Sequence, residues 1–250
     1  MKKNKEKQGS ILSSKSQYNL NEKRKKYFEN SKGSLIDKIN SFTRYVPRQN
    51  IAKLIAQYEL IKETKGVLGD IVEAGVYYGS GLMGWANICC SIEPYNYQCK
   101  IIGFDTFKGS LGVSNKDNSP ILQRRNGEYK AEVFDDLKKS IELINFDRPL
   151  NHLEKIKIIK GDLSKTSKKF VADNKALSIR ILHIGVNLYK PTYCTLKNFL
   201  PAMSKGSVVV IDGLNYSTGG CMQALKKTID IKKIKIQTFD YYPNFTYFKL

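Results

Sequence analysis

The stretch Asp70-Ile-Val-Glu-Ala-Gly-Val-Tyr-Tyr-Gly-Ser-Gly81 constrains this chain more than any other. An apolar run, Ile71-Val72, leads into Glu73 and then into Gly75, Gly79 and Gly81. An apolar segment of helical character follows from Leu82 to Ile92. The order reads as strand, glycine-rich turn and helix. Glycines allow positive φ and a close approach of a ligand to the main chain. The following helix N-terminus offers unpaired N–H groups to a carboxylate or phosphate. A plain tight turn is the plainer reading of the glycines alone, and Glu73 sharpens the choice. A carboxylate at the strand end repels a pyrophosphate and welcomes an ammonium group. The expected ligand is therefore S-adenosylmethionine rather than a dinucleotide.

Downstream, strand and helix patterns alternate. Strands are expected at 71–76, 100–105, 155–160, 179–186 and 207–212, with helices near 82–92, 133–146, 164–173 and 192–203. Such alternation, with nearly continuous apolar strands, predicts a parallel sheet covered on both faces. A helix near 221–230 precedes two further strands, 233–239 and 245–250. The five residues between those strands allow only an antiparallel hairpin. The fold class is thus α/β, a Rossmann-like, mainly parallel seven-stranded sheet with helices on both faces and a C-terminal antiparallel hairpin. Before it, Ile51, Leu54, Ile55, Tyr58 and Ile61 recur at helical spacing. Residues 1–33, rich in Lys, Asn and Ser, read as a disordered basic tail, and 34–250 as one domain. Residues 108–130 are polar and glycine-containing and read as a lid or insert.

Ligands of such a sheet lie beyond the C-terminal strand ends, and three successive ends carry acids. Glu73 closes the first, with Gly75, Tyr77, Gly79 and Ser80 around the turn. Asp105, followed by Thr106, closes the second and suits ribose hydroxyls; capping of the next turn is the alternative. Asp162, followed by Leu163, closes the third and suits the adenine amine, and it also fits a helix N-cap.

Composition limits the partners. The formal charge of +19 is spread along the chain, which favours compositional drift over a nucleic-acid footprint and leaves an anionic acceptor open. The five cysteines, Cys89, Cys90, Cys99, Cys194 and Cys221, lack metal-ligand spacing and imply a reduced, cytoplasmic protein. No run is long enough to span a membrane.

Four ordered motifs, Val72-Glu-Ala-Gly-Val-Tyr-Tyr-Gly79, Gly103-Phe-Asp-Thr-Phe-Lys-Gly109, Leu182-His-Ile-Gly-Val-Asn-Leu-Tyr189 and Val209-Val-Ile-Asp-Gly-Leu-Asn215, together resemble the macrocin O-methyltransferase family of class I methyltransferases. The resemblance spans roughly residues 42 to 230. It implies S-adenosylmethionine-dependent methylation, with O-methylation favoured over N-methylation, of sugar or natural-product hydroxyls. It also implies a magnesium ion held by an Asp of the fourth strand and two of the fifth, with the fourth-strand Asp as base. Here those positions read Gly185 and Asn187, then Asp212 and Gly213. One carboxylate and one amide make a poor magnesium site. The expectation is a family member without its metal centre, in which Asp212 and His183 are the catalytic candidates. The plainer reading of His183 is a core residue. Acceptor candidates are Asn187, Tyr189, Asn215 and Tyr216, with Arg44 and Arg48 as clamps for an anionic group. Asp117 and Glu128 are the lid carboxylates that could complete a metal site from elsewhere. A non-catalytic cofactor-binding relative and, more weakly, an RNA methyltransferase are the alternatives. A homodimer is compatible with all of these.

Overall fold

The computed structural model describes residues 19–120, 122–214 and 219–250. The chain divides into two compact units, Met1–Ile51 and Ala52–Leu250.

The first unit holds α1 (Leu20–Asn30), α2 (Leu35–Asn40) and a 3-10 turn at Phe42–Arg44. Helix α2 starts in a capping box, in which the Ser34 hydroxyl accepts from the Asp37 N–H and the Asp37 carboxylate accepts in return from the Ser34 N–H. Residues 20–30 are helical, a correction to the disordered tail expected through residue 33. The sequence there has few apolar residues and α1 buries none of them. It does place Tyr27 and Phe28 against the Tyr45 ring, at centroid distances of 5.6 and 5.0 Å.

The second unit is built on seven strands: β1 (Asp70–Ala74), β2 (Ile101–Asp105), β3 (Ile156–Lys160), β4 (Ile179–Ile184), β5 (Met203–Asp212), β6 (Gln237–Phe239) and β7 (Tyr242–Lys249). Their order is β3-β2-β1-β4-β5-β7-β6. The first five are parallel, and β7 is antiparallel to both β5 and β6. The expected sheet is the observed one, with the hairpin tucked so that β7 lies inside and β6 forms the edge.

Alternation along the strands divides the core into two layers. Ile71, Ile101, Ile181 and Val208 pack on one face with Leu60 and with Trp85 of α4 (Ser80–Ile92). Val72, Ile102, Leu182 and Val209 pack on the other with Leu163 of α6 (Leu163–Asp173), Phe199 of α7 (Tyr189–Phe199) and Leu225 of α8 (Gly220–Thr228). The remaining helices, α3 (Arg48–Glu63) and α5 (Phe134–Asp147), carry buried Leu60 and Leu137 of the first layer.

Parallel register then sets the site. Glu73 of β1 stands level with His183 of β4, and His183 with Val210 of β5. Side chains at one level share a face, so Glu73 and His183 must meet in the layer beneath α4. Asp212, two residues beyond Val210, lies on that same face at the strand's C-terminal end.

Candidate active site

A cavity of about 310 Å³ opens at the C-terminal ends of β1, β2, β4 and β5. Three main-chain devices shape its floor. Gly75 takes φ +98°, and a Cβ there would stand 3.0 Å from the Gly185 carbonyl carbon. Gly79 takes φ +87° as N-cap of α4, where a Cβ would strike Leu137. Tyr77 holds φ +53°, unusual for a bulky residue and of the kind that costs about 1–3 kcal/mol. The Tyr77 N–H donates to Asp105 Oδ2 at 2.8 Å, and the Phe107 N–H to Asp105 Oδ1 at 2.7 Å. Asp105 thus anchors the turn after β1 while lining the cavity. Asp162 caps α6, accepting from the Ser164 N–H at 2.9 Å, and also lines the cavity with Leu163. Thr106 and Ser80 line it as well.

Deeper, a buried chain of charge runs through β1, β4 and β5. His183, 1% exposed, has Nδ1 3.2 Å from Glu73 Oε1 and Nε2 3.0 Å from Asp212 Oδ1. Burial works against its cationic form, but the Asp212 carboxylate, with Glu73 behind it, outweighs that and raises its pKa to about 9. Trp85 Nε1 also lies 3.3 Å from Nδ1. One ring nitrogen cannot donate to Glu73 and accept from Trp85 together. In the imidazolium both nitrogens donate to carboxylates, and the longer Trp85 contact is the weaker one. Gly81 is required beneath this group, because a Cβ there would come within 2.0 Å of Glu73 Oε1.

His183 has a catalytic reading and a plainer one as a core residue. It lies between Trp85 and Phe245, off the cavity lining, because strand alternation turns it into the layer under α4. Its Nε2 meets Asp212, whose side chain is 26% exposed and lines the cavity. Glu73, expected to receive the cofactor's ammonium, lines the cavity but directs Oε1 to His183.

Of the acceptor candidates, Asn187 lines the cavity at φ +52°. Tyr189 does not; its N–H donates to Asp117 at 2.5 Å and its ring stacks on Tyr193. Arg44 donates to the Tyr27 hydroxyl within the first unit, to which Arg48 also belongs. Asn215 and Tyr216 lie outside the described residues. The segment 108–130 contributes Gly109, Ser110, Leu111 and Tyr129 to the wall. Its ends are joined by Ser110 N–H to Glu128 C=O and Gly127 N–H to Ser110 C=O bonds.

Sequence reasoning missed Lys53, Tyr129 and Pro191. Lys53 falls off the apolar stripe of α3, and its orientation toward the cavity follows only from packing beside Phe245.

The residues do not fit the magnesium ion that the resemblance implies. Asp212 Oδ1 is engaged by His183, position 185 has no side chain, and Asn187 supplies at most a neutral amide. Asp117 is buried and bonded to Ser114 and the start of α7 instead. No group of three His, Cys, Asp or Glu among the described residues could hold a metal ion.

Fold, glycine turn and strand-end carboxylates together define a class I, S-adenosylmethionine-dependent methyltransferase. The chain belongs to the macrocin-O-methyltransferase (TylF) family, whose model matches residues 2–249. Its fold is shared with the calicheamicin methyltransferase CalS11, at TM-score 0.90 and 23% identity over 96% of this chain and 94% of that one. The apo form of CalS11, described as a TDP-rhamnose 3'-O-methyltransferase, matches at TM-score 0.82 and 24% identity over 96% of each chain. The O-methyltransferase NovP matches at TM-score 0.63 and 21% identity, over 80% of this chain and 79% of that one. No curated protein matches the sequence significantly.

Proposed function

We propose that this enzyme methylates a small molecule of the sugar, sugar-nucleotide or natural-product class without magnesium. The observation that carries the reading is Asp212, aimed into the cavity and fixed from behind by buried His183. The methyl group is already activated on a sulfonium. The protein therefore has to align an acceptor in line with it and receive a proton. Gly75, Tyr77 and Ser80 would surround the methionine end, with its carboxylate toward the N-terminus of α4. Asp105 and Thr106 would take the ribose, and Asp162 and Leu163 the adenine. Asp212 would be the proton acceptor, and Asn187 would orient the acceptor molecule.

The TDP-rhamnose activity of the similar CalS11 makes sugar nucleotides the first acceptors to try. All five cysteines are free, and no helix among the described residues is long and apolar enough to cross a membrane. Both support a reducing, cytoplasmic setting. Calorimetry with S-adenosylhomocysteine, paired with transfer of a labelled methyl group into a small-molecule extract, tests the reading. Binding with transfer supports it; binding with no transfer into any extract would leave a non-catalytic relative instead.

A further inference from the structure

Among the described residues, Lys53 of α3 is the cationic side chain that lines the cavity. It is half-buried, and its ammonium makes no ion pair or hydrogen bond with any described residue; it rests 5.7 Å from the centre of the Phe245 ring. The lining carboxylates, by contrast, each have a partner. Glu73 and Asp212 meet His183, Asp105 accepts from the Tyr77 and Phe107 N–H groups, and Asp162 accepts from the Ser164 N–H. A charge drawn partly out of water favours a counter-ion. Lys53 is thus the charge of this cavity left for a ligand, and the group that answers it is an anion.

The place of Lys53 on the sheet says which ligand brings it. Gln57, one turn further along α3, donates Nε2 to the Gly81 C=O at 2.9 Å, which holds α3 across the first turn of α4. Phe245, the ring on which Lys53 rests, pairs with Asp212 across β5 and β7 and lies 5.0 Å from the His183 ring. Asp105 and Asp162, read as the ribose and adenine partners, stand at the ends of β2 and β3, with β1 and β4 in between. Lys53 therefore serves the Asp212 end, the one read as the acceptor's. The formal charge of +19 also draws anions toward the molecule from a distance.

We propose that the acceptor is a sugar carrying an anionic group, a phosphate ester or a carboxylate, and that Lys53 selects it by pairing with that group. This rests on the reading of the cavity as the methyl-transfer site. The ammonium holds the anion beside Phe245, and the remainder of the sugar extends from there toward Asp212. Lys53 is then a specificity-determining residue: it acts on which acceptor is held, and the cofactor is held without it by the turn after β1 and the strand-end carboxylates.

The test saturates the full chain with S-adenosylhomocysteine, in the presence of EDTA so that no divalent cation screens the anions. Calorimetry then compares a hexose as its methyl glycoside, its phosphate ester, its nucleoside diphosphate ester and its uronic acid. The same set is offered as acceptors with labelled S-adenosylmethionine. An anionic member should be preferred over the glycoside by roughly 10- to 100-fold, in affinity and in KM rather than kcat; which member it is names the source of the anion. Lys53→Met should reduce that preference to within a few-fold, and Lys53→Arg should keep most of it. S-adenosylhomocysteine affinity should be the same in both variants and the wild type. Lys53→Gln replaces the Met variant if that one does not fold. No preference for any anionic member, or a preference that survives loss of the Lys53 charge, overturns the proposal. So does weaker S-adenosylhomocysteine binding in Lys53→Met with the preference intact, which would give Lys53 to the cofactor's carboxylate. Failure of the wild type to bind S-adenosylhomocysteine would overturn the parent reading instead.

Discussion

The two halves of the cavity are built on different plans. At the ends of β1, β2 and β3 the carboxylates of Asp105 and Asp162 are already held by main-chain N–H groups, so their positions are fixed before a ligand arrives. At the ends of β4 and β5 the cavity is lined by Gly185, and Asn187 Oδ1 has no hydrogen-bond partner. Asp212 is held there from below by the buried His183 ring. The comparison teaches that the half assigned to the cofactor is preorganised and ordinary for its fold. The half proposed for the acceptor has open space at Gly185 and a single carboxylate, Asp212, beside it.

Removing that base should therefore give the largest effect. Asp212→Asn is expected to lower turnover by roughly 10²–10⁴-fold while S-adenosylhomocysteine binds as before. If turnover and cofactor affinity fall together, the two halves are not separable as described.

The support beneath the base comes next. His183→Leu leaves Glu73 buried without its counter-ion and should cost roughly 3–5 kcal/mol in denaturant unfolding. The pH dependence follows from the raised pKa of His183. Its contribution is fully present below 6.5, the ordinary value, and is lost as pH rises through about 9. Unfolding followed from pH 6 to pH 10 should show this loss in the wild type and not in the variant. Parallel profiles would mean the ring is neutral and the charge chain does not exist.

On the other side of the comparison, Asp105→Ala should weaken S-adenosylhomocysteine binding by about 1.5–3 kcal/mol, with the Asp212 end undisturbed. Undiminished affinity would remove Asp105 from the ribose site.

Much of this architecture is legible in the sequence because apolar strands and amphipathic helices alternate with little between them. The hairpin follows from a connection too short for anything else. The acids at strand ends are legible for the same reason, since a strand's C-terminal end can be read from where its apolar run stops. What could not be read is which strands are neighbours at which register. Glu73 and His183 are 110 positions apart, and only the level pairing of β1 with β4 turns a cofactor candidate and a catalytic candidate into one buried pair. Lys53 and Tyr129 escaped for a different reason. They reach the cavity from a helix and an irregular segment whose placement no periodicity encodes. The helix at Leu20–Asn30 was missed because its apolar contacts are three rings at its surface rather than a stripe.

The tail supplies the smallest effect in the variant series. Helix α1 buries no residue, so deleting residues 1–30 should change stability by less than about 1 kcal/mol, or about 2–4 °C in Tm. A larger fall would show that the helix docks more firmly than its composition implies.

The most direct measurement is labelled methyl transfer from S-adenosylmethionine into the acceptor pool by protein treated exhaustively with EDTA, with and without added magnesium. The chemistry of Gly185, Asn187, Asp212 and Gly213 predicts the same rate in both. A rate that vanishes with the chelator and returns with magnesium would contradict the account, since it would require metal ligands that these four positions do not supply.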